Sequence, residues 1–440
     1  MKKYYFLCGL AMLLVVSTTF GQTEVAKKKT LYVRRNVKNF SQKEIDELIQ
    51  AILAMKKRPS LFDPSVNAYD YFPKIHWEAI NGANGMMHAH GASMKGMSHI
   101  AHENPGFLPW HREFLRRVEV ELRISTGKPD YTLPYWDWTD RNYDNYLFSA
   151  NFMGGNGDPK DSYVVQEGAF GKKAGVFKVT YQSEYDNPEG GNLYLQRHFG
   201  STPFAKSLPN TNDVIQALKI PVYDLYPWNA EAIPETSFRQ FLEGFRPVRG
   251  VTPTTVAGRM HGQVHIFVGG HLLSDASPND PLFFLHHCNV DRIFAEWQDR
   301  WGLYNFPRSW QDTLNNVRHT WQEIMEPFNV TLKSTLDIRG SGVRYDTQGV
   351  LSNVADITGP MTVFPNPTAD LVEINLTGVE LEEVHLQLLN SMGTPLQSQQ
   401  VSVENQNVRA TMDLEAYQPG IYFISANSGK GIITKKVIRQ

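Results

Sequence analysis

The sequence predicts a mainly α-helical core followed by a small all-β domain, and three observations carry that expectation. Apolar residues recur at helical spacing in several stretches before about residue 345. Two clusters of histidines fall on or beside those stretches. Beyond Tyr345 the text changes to short runs of two-residue alternation bounded by Gly, Asn and Pro, the signature of half-buried strands.

With 440 residues, 43 basic and 45 acidic, the chain has room for more than one core and no electrostatic footprint for nucleic acid. Residues 1–21 read as a secretory signal peptide: Lys2 and Lys3, an apolar run over residues 6–16, and a small-residue exit before Gln22. That run is too short to span a bilayer, so no stable membrane span is expected. Removal of the signal takes Cys8 with it and leaves one thiol, Cys288, so no internal disulfide is expected.

The first helix is announced by Ser41 with Glu44 three residues on, then Ile45, Leu48, Ile49, Ile52 and Leu53. A second helix over residues 69–80 carries His76. Residues 81–106, rich in Gly, Met and His, argue for a loop. A third helix opens near Pro109, with Leu115, Val118 and Leu122 facing a core and His111 in its first turn. His102 reaches the same point from the loop, and a third ligand must come from His76, His88, His90 or His99. Residues 140–234 read as surface loops, and His198, His271 and His319 as structural.

His261 and His265 are four residues apart, which on a helix puts both imidazoles on one face, one turn apart. His287 follows on another predicted helix, capped by Asp280 with Pro281 at its first position and apolar residues at Phe283, Phe284, Ile293, Phe294 and Trp297. A histidine pair alone is often structural, but a second cluster elsewhere in the chain makes a metal site the better account. Six neutral imidazoles without carboxylate or thiolate suit copper, whereas di-iron and most dizinc sites use carboxylate bridges.

The stretch HENPGFLPWHREFL resembles the copper-A signature of the tyrosinase, catechol oxidase and haemocyanin family, and MHGQVHIFVGG with SPNDPLFFLHHCNVDRIFAEW resembles its copper-B signature. PYWDW, SFRQFLEGF and MEPFN extend the likeness over residues 30–345. The resemblance implies a four-helix bundle holding two copper ions, copper A on His76, His102 and His111 and copper B on His261, His265 and His287, with His286 beside them and not ligating. It further implies a type 3 copper polyphenol oxidase that uses O2 to convert a small phenolic substrate, an o-diphenol, to an o-quinone, with monophenol hydroxylation as a second activity. Phe283 would stack on a ligand imidazole, and Glu243 would be catalytic by fixing a water that helps deprotonate a phenol. Gly262 departs from the pattern: several monophenol hydroxylases carry Asn there, and glycine offers that water nothing. No cysteine stands near His88 or His90, so the thioether of fungal and plant relatives is not expected.

The opening VFPNPT, the middle NSMGTPL and the closing YQPGIYFISANSGKGIITKKVIRQ resemble the C-terminal sorting domain of proteins exported by the type IX secretion route of Bacteroidota. The expected organisation is a signal peptide over 1–21, a dicopper oxidase domain over 22–350 and a β-sandwich sorting domain over 351–440, secreted with the type IX machinery as a partner. Two other functions share parts of this text. A haemocyanin-like reversible O2 carrier would use the same six ligands, and a secreted adhesin would keep the histidines as structure.

Overall fold

The computed structural model describes residues 31–81, 101–181, 194–229, 234–248, 255–312, 317–348, 360–379, 382–390, 395–427 and 432–440. The expected signal peptide, Cys8, His88, His90 and His99 lie outside them. Among the described residues nine α-helices precede a run of strands. They are α1 Gln42–Met55, α2 Tyr71–Asn81, α3 Phe107–Thr126, α4 Tyr143–Tyr146, α5 Thr211–Lys219, α6 Phe238–Glu243, α7 Met260–Val268, α8 Leu282–Trp301 and α9 Leu332–Thr335. No helix among them is long and apolar enough to cross a membrane.

Local chemistry starts α1, α2, α3 and α8 where the sequence says it should, or within a turn of it, whereas α4 and α5 fall within residues 140–234, which the sequence reads as surface loops. Ser41 and Glu44 form the expected capping box on α1, which buries Leu48, Ile49, Ala51, Ile52 and Met55. The third helix begins at Phe107, two residues before the predicted start, so Pro109 sits within its first turn, where a missing N–H costs nothing. The α8 helix begins at Leu282, just after the predicted start, yet the Asp280 carboxylate still accepts the Leu282 N–H at 2.9 Å.

The α1 helix packs on α3, α3 on α8 and α8 on α7, while aromatic contacts bring α2 in. Phe72 of α2 meets Phe114 of α3 at 5.2 Å and Phe284 of α8 at 6.0 Å. Three of the four histidine-bearing helices, α2, α3 and α8, therefore share one apolar floor.

Two short strands close this core. The strands β1 Tyr32–Arg34 and β8 Val343–Tyr345 pair in parallel, Arg34 opposite Tyr345. From β1 the buried Arg34 donates to Glu119 of α3 at 2.7 Å, Asp291 of α8 at 2.9 Å and the Tyr345 hydroxyl at 2.8 Å. Between them lie three two-stranded hairpins, β2 Phe245–Val248 with β3 Thr255–Gly258, β4 Ser309–Asp312 with β5 Val317–Thr320, and β6 Ile324–Met325 with β7 Val330–Thr331.

The β-rich region comprises β9 Met361–Phe364, β10 Leu371–Thr377, β11 Glu383–Leu389, β12 Pro395–Ser402, β13 Asn407–Asp413, β14 Gly420–Asn427 and β15 Ile432–Arg439. A three-stranded antiparallel sheet, β13-β10-β9, and a four-stranded one, β12-β11-β14-β15, share a separate apolar core. Alternation drives the packing: Val372, Ile374 and Leu376 of β10 point inward while Leu371, Glu373 and Thr377 are exposed. The alternation expected beyond Tyr345 runs through LVEINLTG, VHLQLLNSMG, VRATMDL, GIYFISANSG and IITKKVIRQ, which carry β10, β11, β13, β14 and β15; β9 and β12 lie outside those runs.

Candidate metal centre

Four of the six histidines arrive with the ring already oriented by a carbonyl. His76 of α2 directs Nδ1 at the Asp275 carbonyl, 2.6 Å away, and His111 of α3 at the Phe107 carbonyl one turn back, 2.9 Å away. His261 of α7 does the same to the Glu243 carbonyl at 2.9 Å, and His265 to the Leu272 carbonyl. A carbonyl can only accept, so Nδ1 carries the proton in each ring and Nε2 presents its lone pair inward. The Nε2 atoms of His76 and His111 are buried with no hydrogen-bond partner. A buried acceptor left so is costly unless something else fills its lone pair, and a metal ion does.

The rings converge in two trios. His76, His102 and His111 have ring centroids 4.9 to 5.6 Å apart. His261, His265 and His287 lie 4.5 to 5.6 Å apart, and the Nε2 atoms of His265 and His287 are separated by 3.4 Å. The trios meet where His111 stacks on His287 at 4.4 Å and 16°. In each group the candidate ligand atoms lie within 4.8 Å of one another, and in the second group His286 joins them. Among the described residues no carboxylate or thiolate enters either group.

Burial keeps the rings neutral, the form that binds a metal. It holds His76 down at about 3 and His265 at about 4, against the usual 6.5. His111, His261 and His287 are pushed well below that value by burial first and by their neighbouring imidazoles second. The donor set fits two copper ions: all-nitrogen, uncharged and oriented beforehand.

Phe283 stacks on His287 at 4.0 Å and 26° and meets His76 edge-on at 5.1 Å, so one side chain touches both trios. Gly262, the buried neighbour of His261, presents no side chain. Glu243 is buried at the end of α6, and both carboxylate oxygens are engaged. Oε1 accepts the Glu103 N–H at 2.6 Å and Oε2 accepts from Arg239 at 2.9 Å. Burial pushes this carboxyl up to about 7, against the Arg239 charge and the Glu103 amide.

The sequence reading lacks the strap around His102. Asn104 donates to the His102 carbonyl at 2.7 Å and accepts the Gly106 N–H at 2.7 Å, a turn that Asn-Pro-Gly can announce. It also lacks Phe107, whose ring lies 4.9 Å from both His111 and His261. The histidines read as structural stand outside both groups. His198 stacks on Tyr163 at 3.6 Å, His271 accepts the Gln196 N–H at 3.0 Å and His319 bonds Glu323 at 2.7 Å.

Comparison with known proteins agrees with this geometry. Residues 66–300 match the sequence model of the common central domain of tyrosinase, and residues 362–440 that of the secretion system C-terminal sorting domain. A grixazone synthase from Streptomyces griseus is 37% identical over 285 residues, covering 61% of this chain and 85% of that protein. The tyrosinases of Streptomyces lincolnensis and Streptomyces antibioticus are 33% and 32% identical over 269 residues, each covering 61% of this chain and 83% of theirs.

Proposed function

The chain belongs to the tyrosinase family of copper oxidoreductases, and from that premise we propose that it is a secreted dicopper polyphenol oxidase that uses O2 to oxidise o-diphenols to o-quinones. The observation that carries the proposal is the facing pair of histidine trios, in which His76, His111, His261 and His265 have Nδ1 tied to carbonyls and Nε2 left to face the other rings. His76, His102 and His111 would hold copper A, and His261, His265 and His287 copper B. When bound, the two ions supply the redox capacity that couples two-electron oxidation of a diphenol to reduction of O2.

The protein's share is orientation and exclusion. Carbonyl partners fix the tautomer and plane of His76, His111, His261 and His265, and the Phe283 ring packs His287 against rotation. The apolar floor of Phe72, Phe114 and Phe284 keeps water from the far side of the rings. A diphenol needs little help to lose its proton. A monophenol needs a placed acceptor, and Gly262 offers none while Glu243 is already bonded twice. Diphenol oxidation is therefore the principal activity in this reading and monophenol hydroxylation a minor one.

The sorting-domain match supports export by the type IX machinery to the cell surface or beyond.

Copper-loaded protein is expected to turn a catechol into a coloured quinone and to lose that activity when a chelator strips it to the apo form. Reversible oxygenation without turnover would replace this reading by that of an oxygen carrier. A Gly262→Asn variant is expected to raise the monophenol rate relative to the matching catechol rate. An unchanged ratio would remove the specificity argument and leave the diphenol oxidase standing.

A further inference from the structure

We propose that Glu243 is a positioning residue that fixes both histidine trios from one point, His261 through its main-chain carbonyl and His102 through its carboxylate. The assignment rests on the dicopper reading above and concerns what holds the ligands in register.

The described residues that deliver His102, 101–106, run into α3 and include no helix. Two of the bonds that hold this segment are Asn104 to the His102 carbonyl and the Glu103 N–H to Glu243 Oε1 at 2.6 Å. The second crosses from one trio's loop to the other's support, because the Glu243 carbonyl accepts from His261 Nδ1. Glu103 has φ of 58°, left-handed backbone that turns its N–H to this acceptor and costs energy in a non-glycine residue.

Glu243 is in turn anchored. Arg239, one turn back on α6, donates to its Oε2 and is clamped by Asp224, at 2.8 Å from Nε and 3.2 Å from Nη2, and by the Asn229 carbonyl at 3.1 Å. All three side chains are buried. Gly244 caps α6 with φ of 75°, and a Cβ there would lie 1.8 Å from the Arg259 carbonyl oxygen, so the end of α6 seats directly against the residue before α7. One anchored residue thus ties the loop of the first trio to the support of the second.

Because Glu243 meets His261 through its main chain and Glu103, the residue after His102, through its side chain, a substitution separates the two contacts. Copper content per chain after copper loading and dialysis into copper-free buffer without chelator is the measurement, with the cupric resonance signal alongside. Wild type is expected to keep two coppers. Glu243→Ala is expected to keep about one, with a resonance signal from the single remaining ion. Glu243→Gln retains an oxygen for the Glu103 N–H and is expected to restore most of the second copper. If the alanine variant does not fold, Glu243→Asp takes its place, since a carboxylate one methylene shorter no longer reaches Glu103 and the same single copper is expected. Retention of both coppers by the alanine or aspartate variant overturns the assignment, as does loss of both together. Wild type that binds no copper would remove the dicopper reading and this one with it.

Discussion

Phe283 shows how much of the site rests on a side chain with no polar atom. Wedged between His287 and His76, it fills space and sets a ring plane at once. Phe283→Ala should lower the unfolding free energy by about 3–5 kcal/mol, the usual cost of emptying a phenylalanine site. Phe283→Leu should recover most of that stability while leaving catechol oxidation well below wild type, because volume returns and the flat face does not. Equal recovery of both by leucine would show that Phe283 only fills space. His271 gives the pH dependence. Burial holds its imidazole down at about 4, and as a neutral ring it accepts the Gln196 N–H. The folded state therefore takes up fewer protons than the unfolded one below pH 6.5, and the stability His271 contributes is present above that pH and lost as pH falls through about 4. At about 1.4 kcal/mol per pH unit, the margin of wild type over His271→Asn should shrink by about 3 kcal/mol between pH 7 and pH 4. Denaturant titrations of the two proteins at several pH values would show it, and a pH-independent margin would be the contrary result. At this scale the sequence is legible where spacing repeats: His261 and His265 announce themselves four apart. It is silent on Glu103, whose backbone N–H does the bonding while its side chain is exposed, because main-chain donors leave no trace in composition.

Among elements, the join of β1, α3, α8 and β8 is the most exacting. Arg34 and Arg112 both donate to Asp291, Arg112 from Nε at 2.6 Å, and Arg34 also satisfies Glu119, all of them buried. Arg34→Met would leave two buried carboxylates short of a counter-ion and is expected to cost about 3–5 kcal/mol, measured as a lower denaturation midpoint. A cost under about 1 kcal/mol, the worth of an exposed pair, would mean that water replaces the guanidinium. None of this is visible in the text, since a lone Arg34 in a three-residue strand looks like a surface charge. The amphipathic helices read well because their periodicity is long. By contrast β9 is only four residues, and β12 carries Gln397, Ser398, Gln399 and Gln400 where alternation would need apolar residues. Short strands and polar edges carry no period to read.

Across the whole molecule, the helical core and the β-rich region bury separate sets of residues, one ending at Tyr345 and the other beginning at Met361. Calorimetry should therefore resolve two unfolding transitions, and copper should raise only one of them, since a ligand stabilises the unit that binds it. A single transition that shifts as a whole would show that the two unfold together. The division was legible in the change of period after Tyr345. The pairing of β1 with β8 was not, because nothing in either three-residue strand names its partner. That pairing also bears on timing. Arg34 and Tyr345 stand 311 positions apart, yet each completes the other's hydrogen bonding. A polypeptide delivered from its amino end must carry the first strand without its mate until almost the entire oxidase portion has emerged, and closing so large a loop is slow. The join of β1 and β8 to α3 and α8 is thus completed as a late act of maturation, and a pulse-labelled chain halted before residue 343 should remain open to protease.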